Sequence, residues 1–222
     1  MSSDMIISYD GTPNDDDALA LGKLLARTGA KPALAYVRHS REFDPGREQI
    51  AQHDAERRLE SGAVSLGDPD IARHVVLSAS TGEGLLGLAK SEGASVIVFG
   101  SDYRTPPGRA EPGTTAQYLL EGGPVAVAVA AAGLRAGQVE PISSIAVFAG
   151  EDPAAEQTAA ALAERLGATV VSPDGGRVDL IVVGSQPSSS GARTGLSGIT
   201  RSMLNVAQGS VLVVHYGKRL SL

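Results

Sequence analysis

Glycine and hydroxyl residues follow one strand-like run of this 222-residue chain in an order that suits a phosphate ligand. Gly100 and Ser101 end the apolar run VIVF, and after a proline-rich loop Gly113 and Thr114 open a helix-like segment. Glycine lets backbone N–H groups approach phosphate oxygens closely, and a helix that begins at Thr114 would add its dipole and a hydroxyl donor. This pattern predicts anion binding.

A carboxylate follows the first strand-like run of the chain. Asp10 comes at the end of MIISY and precedes Gly11 and Thr12. Ligands of open parallel sheets bind outside the carboxyl ends of the strands. A carboxylate in that place suits the hydroxyl groups of a ribose or the amino group of a base, so Asp10 is a candidate nucleoside-binding residue.

Strand-like and helix-like segments alternate through the first half of the chain, and they must position these residues. Short apolar runs predict strands at residues 5–9, 33–37, 75–77, 95–99 and 125–129. Periodic segments predict helices from the N-cap Asn14 to Gly29, and at residues 47–61, 83–91 and 114–120. Continuous apolar strands between helices favour a parallel sheet that is covered on both faces.

The second half repeats this order with a piece missing. LIVVGS at residues 180–185 repeats VIVFGS at residues 96–101. Before it stand a strand-like run, a helical segment and a second strand-like run at residues 145–148, 154–166 and 169–171. About one strand and two helices are therefore absent, which is tolerable if the missing strand lies at a sheet edge. We expect one unit at 1–132, a linker at 133–141 and a shortened unit at 142–222.

Together these residues resemble the universal stress protein family of UspA-like domains. Its domains open with a strand ending in V-D-G-S and later carry a loop of the form G, two residues, G, nine residues, G-S/T. The opening is matched by Tyr9, Asp10, Gly11 and Thr12. The loop is matched in spacing, and by Gly100, Gly113 and Thr114, at every signature position but one, where Tyr103 stands in place of glycine. The resemblance implies two tandem flavodoxin-like or Rossmann-like α/β units of the adenine nucleotide alpha hydrolase-like type, the second truncated and degenerate.

The resemblance also implies adenine-nucleotide binding in the first unit, with ATP or AMP as ligand, Mg²⁺ accompanying ATP, and a stress-response or regulatory role. The implied site residues are Tyr9, Asp10, Gly11, Thr12, Val37, Gly100, Ser101, Tyr103, Gly113, Thr114 and Thr115. Asp10 and the backbone near Val37 would hold the nucleoside, and the loop would hold the phosphates. No base or nucleophile stands out, so we expect binding with at most weak ATP hydrolysis.

Departures from the family pattern motivate an alternative, a dimerisation or partner-docking module of the same fold that binds no nucleotide. Tyr103 replaces the second loop glycine, and three loop prolines remove N–H donors. In the second copy Ala149 is aligned with Asp10, Pro187 replaces the second glycine, and Ile199 follows Gly198.

The resemblance further implies how the two units meet. In the family the last strands of two domains pair antiparallel. Here the strand from Val125 to Val129 would pair with the strand from Val211 to Val214, which makes an intrachain pseudo-dimer and leaves a further homodimer open.

A second resemblance points to a different class of protein. YDGTPNDDDALAL, at residues 9–21, is similar to the calcium-binding opening of nucleoside hydrolases, in which Asp10, Asp15 and Asp16 would supply oxygen ligands. Thr12 and Pro13 break that pattern. Acids in the first turn of a helix also complement its macrodipole. A calcium-dependent nucleoside hydrolase-like enzyme is therefore the less favoured alternative.

Composition excludes several other classes. The chain has no cysteine, so disulfides and thiolate metal sites are excluded, and its four histidines are scattered without metal-ligand spacing. A net charge of −6 and 4% aromatic residues argue against nucleic-acid binding. The longest apolar run is too short to span a bilayer, and no signal-peptide pattern opens the chain, so we expect a cytoplasmic protein without a membrane partner.

Overall fold

The computed structural model describes residues 2–121, 123–136, 140–172, 176–187, 194–195 and 208–222. Strands and helices alternate along the first unit. They are β1 (Met5–Ser8), α1 (Pro13–Ala26), β2 (Pro32–Arg38), α2 (Pro45–Leu66), β3 (Ala72–Leu77), α3 (Thr81–Glu92), β4 (Val96–Phe99), α4 (Thr114–Leu120) and β5 (Ala126–Val129).

A 3₁₀ turn at Leu134–Ala136 leads towards the second unit. The elements of that unit are β6 (Ser144–Phe148), α5 (Pro153–Leu166), β7 (Thr169–Val171), β8 (Arg177–Gly184), β9 (Gln186–Pro187), β10 (Thr194–Gly195) and β11 (Gln208–Val214). β8 begins soon after β7 ends, whereas α2, β3 and α3 lie between β2 and β4 in the first unit. The α/β class and the shortened second unit are confirmed.

Nine strands form one sheet in the order β3-β2-β1-β4-β5-β11-β8-β6-β7. Neighbouring strands are parallel except at the centre, where β11 pairs antiparallel with β5 and Val211 lies opposite Val129. This is the pairing expected between the last strands of the two units. The carboxyl ends of the strands therefore face one edge of the sheet in the first unit and the opposite edge in the second.

The strands β1, β4 and β5 at the middle of the sheet are buried on both faces, which explains why they are apolar almost without a break. In β1, Met5 and Ile7 join a cluster that includes residues of α1, α2 and α5, while Ile6 joins a second cluster with residues of α3 and α4. Side chains of successive strand residues point to opposite faces, so a strand covered on both sides needs an apolar residue at every position.

Packing explains why a strand is followed by the same Gly-Ser pair in both units. A Cβ at Gly100 would overlap the carbonyl oxygen of Asn14 and lie 2.6 Å from its carbonyl carbon. At Gly184 a Cβ would overlap the carbonyl oxygen of Ala149 and lie 3.0 Å from the Cβ of Asp152. In each unit the first helix thus starts directly against the end of the neighbouring strand, and only glycine leaves room for it.

Two details of the sequence-based prediction are wrong. The N-cap of α1 is Thr12, with Pro13 as its first residue, because Asn14 lies within the first turn. Sheet register pairs Met5 with Val96 and Ile145 with Leu180, so the position of Asp10 corresponds to Gly150 and not to Ala149.

Among the described residues, no helix is long and apolar enough to cross a membrane.

We expect the variants Gly100→Ala and Gly184→Ala each to lose about 2–3 kcal/mol of unfolding free energy, since overpacking against backbone cannot be relieved by a rotamer change. The control is Gly87→Ala in α3, where a Cβ would meet nothing within 4 Å. That change should stabilise the protein by about 0.5–1 kcal/mol through helix propensity. Urea unfolding measures all three, and a Gly100→Ala protein as stable as the wild type would refute the packing argument.

Candidate functional site

The strand order of the first unit reverses between β1 and β4, because β2 and β3 lie on one side of β1 while β4 and β5 lie on the other. A crevice forms outside the carboxyl ends of strands at such a switch point, and ligands of open α/β sheets bind there. The segment after β1 carries Asp10, and the loop after β4 begins at Gly100. Both predicted parts of the site thus leave the sheet at its switch point.

Asp10 lies in a tight turn between β1 and α1, and its side chain is exposed. Its Oδ1 accepts a hydrogen bond of 2.8 Å from the backbone N–H of Thr12, and its own N–H donates to Oδ2 of Asp15 at 2.5 Å. Arg58 of α2 reaches over this turn. The Arg58 guanidinium lies 5.3 Å from the ring centroid of Tyr36 and donates to the Asp10 carbonyl oxygen at 3.3 Å.

Asp10 and Asp15 form a carboxyl pair with unequal proton affinities. Burial, together with the hydrogen bond and the charge of Asp10, raises the pKa of Asp15 to about 8. Burial would also raise the pKa of Asp10, but hydrogen bonds from Asp15 and Thr12 hold that pKa below its usual value. At neutral pH the pair therefore carries one negative charge, which resides on the exposed Asp10.

The side chains of Tyr9 and Val37 do not face this crevice. Tyr9 is buried, the edge of its ring packs against Gly62 of α2, and burial followed by the charge of Asp16 raises its pKa. Val37 is buried in the opposite cluster, where it packs against Gly84 of α3. Only the backbone of these two positions is left to contact a ligand.

The hydroxyl of Ser101 is committed to holding the loop after β4 together. It donates to the Ala130 carbonyl at 2.6 Å and accepts from the N–H of Glu111 at 3.1 Å. The residue is 5% exposed. The structure therefore gives Ser101 a scaffolding role, whereas the family resemblance implies a phosphate contact.

The backbone of this loop also bonds largely to itself and to its neighbours. Asp102 N–H donates to the Glu111 carbonyl at 2.9 Å, and Gly108 N–H donates to the Ala132 carbonyl at 2.8 Å. Further internal donors are the N–H groups of Arg104, Thr105 and Arg109. Few loop N–H groups remain for a polyphosphate, in contrast to an open glycine-rich cradle.

The other loop positions stay near the solvent. Tyr103 is 71% exposed, and its ring stacks with the Arg104 guanidinium 4.9 Å from the ring centroid. Gly113 is the N-cap of α4 and provides no side-chain cap for the helix that starts with Thr114 and Thr115. Asn14 joins the two parts of the site, because its Nδ2 donates to the Ser101 carbonyl at 3.0 Å.

The acids of α1 have separate partners, which bears on the calcium alternative. Asp16 forms an ion pair with Arg135 and accepts from the Tyr9 hydroxyl. Asp17 is buried and accepts from the N–H groups of Gly133 and Arg135, each at 2.8 Å. Since Asp15 is mainly protonated at neutral pH, the acids do not present three free carboxylates. Within the described ranges, no group of three or more His, Cys, Asp or Glu residues could hold a metal ion.

Sequence reasoning missed three residues of the site. The sequence suggests for Asp15 only a place in the first turn of a helix or a calcium ligand, yet in the structure it sets the charge of Asp10. Arg58 and Asn14 reach the site from α2 and α1. No motif marks these residues; for Asp15 alone, its five-residue spacing from Asp10 was an available signal.

The second unit supports the loop of the first. Gly209 N–H in β11 donates to the Gly108 carbonyl at 2.8 Å, and the Ser210 hydroxyl accepts from the Ala131 N–H at 3.1 Å. Gly209 has φ of +142°, and a Cβ there would overlap the carbonyl oxygen of Val178. The first residues of β11 thus fix the far side of the loop.

The corresponding edge of the second unit has different residues. Gly150 replaces Asp10 there and is followed by the exposed Glu151, while Asp152 is buried as the N-cap of α5. Ser185 matches Ser101 but its hydroxyl has no hydrogen-bond partner among the described residues. Pro187 lies in the short strand β9, opposite Thr194. The predicted positions Gly198 and Ile199 lie outside the described residues.

The sequence model of the universal stress protein family matches residues 1–131, which include the whole site. The chain belongs to the universal stress protein family. Among curated proteins, no sequence matches this member of the family.

Solved structures share the fold of this family member over nearly its whole length. A universal stress protein from Archaeoglobus fulgidus DSM 4304 is 14% identical, with a TM-score of 0.67, and the match covers 96% of this chain and 98% of that one. A functionally unknown protein from Pseudomonas aeruginosa PAO1 is 13% identical, with a TM-score of 0.62 and coverage of 97% and 93%. At these identities the likeness establishes the fold alone.

The raised pKa of Asp15 predicts a pH-dependent stability. The native state keeps this proton up to about pH 8, whereas the unfolded chain releases it near pH 4. Unfolding therefore becomes easier as pH rises between these values, by at most about 1.4 kcal/mol per pH unit. Asp15→Asn mimics the protonated form, so relative to the wild type it should gain about 3–4 kcal/mol between pH 5 and pH 8.

Urea unfolding at several pH values measures this gain. Asp70→Asn is the control, because this exposed acid lies before β3, at the opposite edge of the sheet from Asp15. Parallel stability curves for Asp15→Asn and the wild type would show that Asp15 is ionised throughout.

Proposed function

We propose that this universal stress protein binds an adenine nucleotide, AMP or ATP, at the carboxyl ends of β1 and β4, and serves a stress-response or regulatory role through binding. The observation that carries the proposal is the exposed, ionised carboxylate of Asp10 at the point where the strand order reverses. The proposal involves no catalytic step.

The nucleoside half of such a ligand suits the geometry around Asp10. Oδ1 of Asp10 is occupied by the Thr12 N–H, which fixes the carboxylate in the turn. Its exposed side can accept hydrogen bonds from the hydroxyl groups of a ribose, and bonds to a charged acceptor are stronger than neutral ones. Arg58 stands next to this position and supplies a cation beside the crevice.

The phosphate half meets a loop that is already bonded internally. Ser101 and most loop N–H groups have partners within the protein, and three prolines provide no N–H. The start of α4 and its Thr114 would contact the first phosphate, while the β- and γ-phosphates would remain in solvent. We therefore propose that the nucleoside and the first phosphate carry the affinity, and that Mg²⁺ accompanies ATP without adding to it.

The closed loop also favours a second candidate, a docking or dimerisation module of the same fold that binds no nucleotide. Its surface would include the solvent-exposed ring of Tyr103 in this loop. The two candidates differ in a simple observation, because only the first predicts heat when AMP is titrated into the protein.

Asp10→Asn should weaken AMP binding about tenfold to a hundredfold, because the charge-assisted bonds to the ribose are worth about 1.5–3 kcal/mol. Asparagine can still accept from the Thr12 N–H, so the turn should be preserved. Asp70→Asn is the matched control, an exposed acid before β3 on the opposite edge of the sheet. Isothermal titration calorimetry measures all three proteins. Absence of heat with wild-type protein would overturn nucleotide binding, and equal affinity of Asp10→Asn would overturn the site.

AMP and ATP should bind with dissociation constants within about threefold of each other, because the outer phosphates of ATP would remain in solvent. A threefold difference corresponds to about 0.7 kcal/mol of binding free energy. Calorimetry of ATP with and without Mg²⁺ tests this directly. An ATP affinity more than tenfold above that of AMP would mean that the loop opens to receive the outer phosphates.

A further inference from the structure

Helix α2 packs on the core along one face only. Its buried residues recur at helical spacing: Ala55, Leu59, Gly62, Ala63 and Leu66. At 3.6 residues per turn, the positions about half a turn away from these form the opposite face. That face is one continuous stripe of seven residues: Ile50, His53, Asp54, Arg57, Glu60, Ser61 and Val64. We call it the outer stripe of α2.

Large apolar side chains are exposed at both ends of the outer stripe. Ile50 is 63% exposed and Val64 is 68% exposed. Phe43, directly before the N-cap of α2, is fully exposed. The other large apolar or aromatic side chains that are exposed among the described residues lie in five different segments. Single exposed apolar residues are ordinary, whereas a group along one helix indicates an interaction surface.

The residue types of the outer stripe are symmetric about Arg57. An apolar residue lies seven positions before it and another seven positions after it, and an acid lies three positions away on each side. His53 and Ser61, both polar, lie four positions away on each side. A twofold contact places a surface against its own copy with the direction reversed, so it requires this kind of self-complementarity.

The charges of the outer stripe fit the same arrangement. Arg57 forms an ion pair with Asp54 of its own chain, whereas Glu60 has no ion pair within the part of the chain that the structure describes. Residues seven apart differ in direction by only about 20°, so His53 and Glu60 lie on one side of the stripe and Asp54 and Ser61 on the other. In an antiparallel pair of α2 helices centred on Arg57, Glu60 of one copy lies beside His53 and Arg57 of the other. A parallel pair would place each charge against its own copy.

We propose that the outer stripe of α2 binds the same stripe of a second copy of this chain, antiparallel, with the twofold axis at Arg57. Ile50 of one copy covers Val64 of the other at each end of the contact, which removes both side chains from water. The contact is separate from the pairing of β5 with β11, which is made within one chain. It does not depend on nucleotide binding at Asp10.

The contact is small, because residues 50–64 span only about 21 Å of helix. Small interfaces are typical of weak association, and we expect a dimer dissociation constant on the order of 10 µM. The dimer should therefore predominate at about 100 µM protein and the monomer at about 1 µM. Sedimentation velocity at these concentrations measures the equilibrium.

Val64→Lys should weaken dimerisation at least tenfold, because it buries an unpaired charge in the apolar part of the contact. Val170→Lys is the matched control, the same change at a valine of β7 that is 48% exposed. Both valines are exposed, so the variants should fold, which circular dichroism checks. A wild type that stays monomeric at 100 µM, or equal dissociation of the dimer by both variants, would overturn the proposal.

Cysteine cross-linking tests the antiparallel register, since the chain has no cysteine of its own. A mixture of Ile50→Cys and Val64→Cys proteins should form a disulfide-linked dimer under mild oxidation, because these two positions meet across the contact. Either protein alone should cross-link far more slowly. Two copies of one of these positions lie about 21 Å apart in the antiparallel pair, and a disulfide needs Cα atoms within about 7 Å. Cross-linking of each protein with itself, or no faster cross-linking in the mixture, would refute this register.

Discussion

The antiparallel contact between β5 and β11 is the interaction on which the rest of the molecule depends. It places Val211 opposite Val129 and Val213 opposite Val127, and it joins two parallel half-sheets into one sheet of nine strands. Because the contact reverses the strand direction, the carboxyl edges of the two units face away from each other. The switch point of each unit therefore lies at its own edge of the sheet.

The same contact explains how the second unit could lose elements without losing the sheet. In the first unit β3 is the outermost strand, and the second unit ends at β7, the counterpart of β2. The pairing at the centre is unaffected by this loss. The second unit stabilises the first, because the N–H of Gly209 at the start of β11 donates to the Gly108 carbonyl in the loop after β4. A universal stress protein domain thus lies beside a shortened copy that holds one of its loops.

The sequence predicted most of the architecture because the relevant signals are local. Continuous apolar runs mark strands that are buried on both faces, and the repeated Gly-Ser ending marks the points where a helix start packs on a strand end, at Gly100 and Gly184. The sequence alignment that places Ala149 against Asp10 is wrong by one residue, because it superimposes apolar residues by type alone. The structural match instead follows the sheet register and the proline at the first position of α1 and α5.

The site was less predictable because its chemistry depends on contacts between distant residues. Residue spacing predicts the loop after β4. It cannot show that the Ser101 hydroxyl donates to the carbonyl of Ala130, a residue 29 positions away in the chain. Likewise the charge of Asp10 depends on the burial of Asp15, and burial is a property of the folded protein. Residue type alone cannot separate a phosphate ligand from a scaffold residue.

We propose a single nucleotide site in this chain, at Asp10 between the ends of β1 and β4. A crystal structure of the protein grown with AMP tests it most directly. We predict one AMP per chain, with its ribose on the Asp10 carboxylate and with the Ser101 hydroxyl still bonded to Ala130. An AMP bound at the carboxyl ends of β6 and β8, or a ribose held by other residues while Asp10 faces solvent, would contradict it.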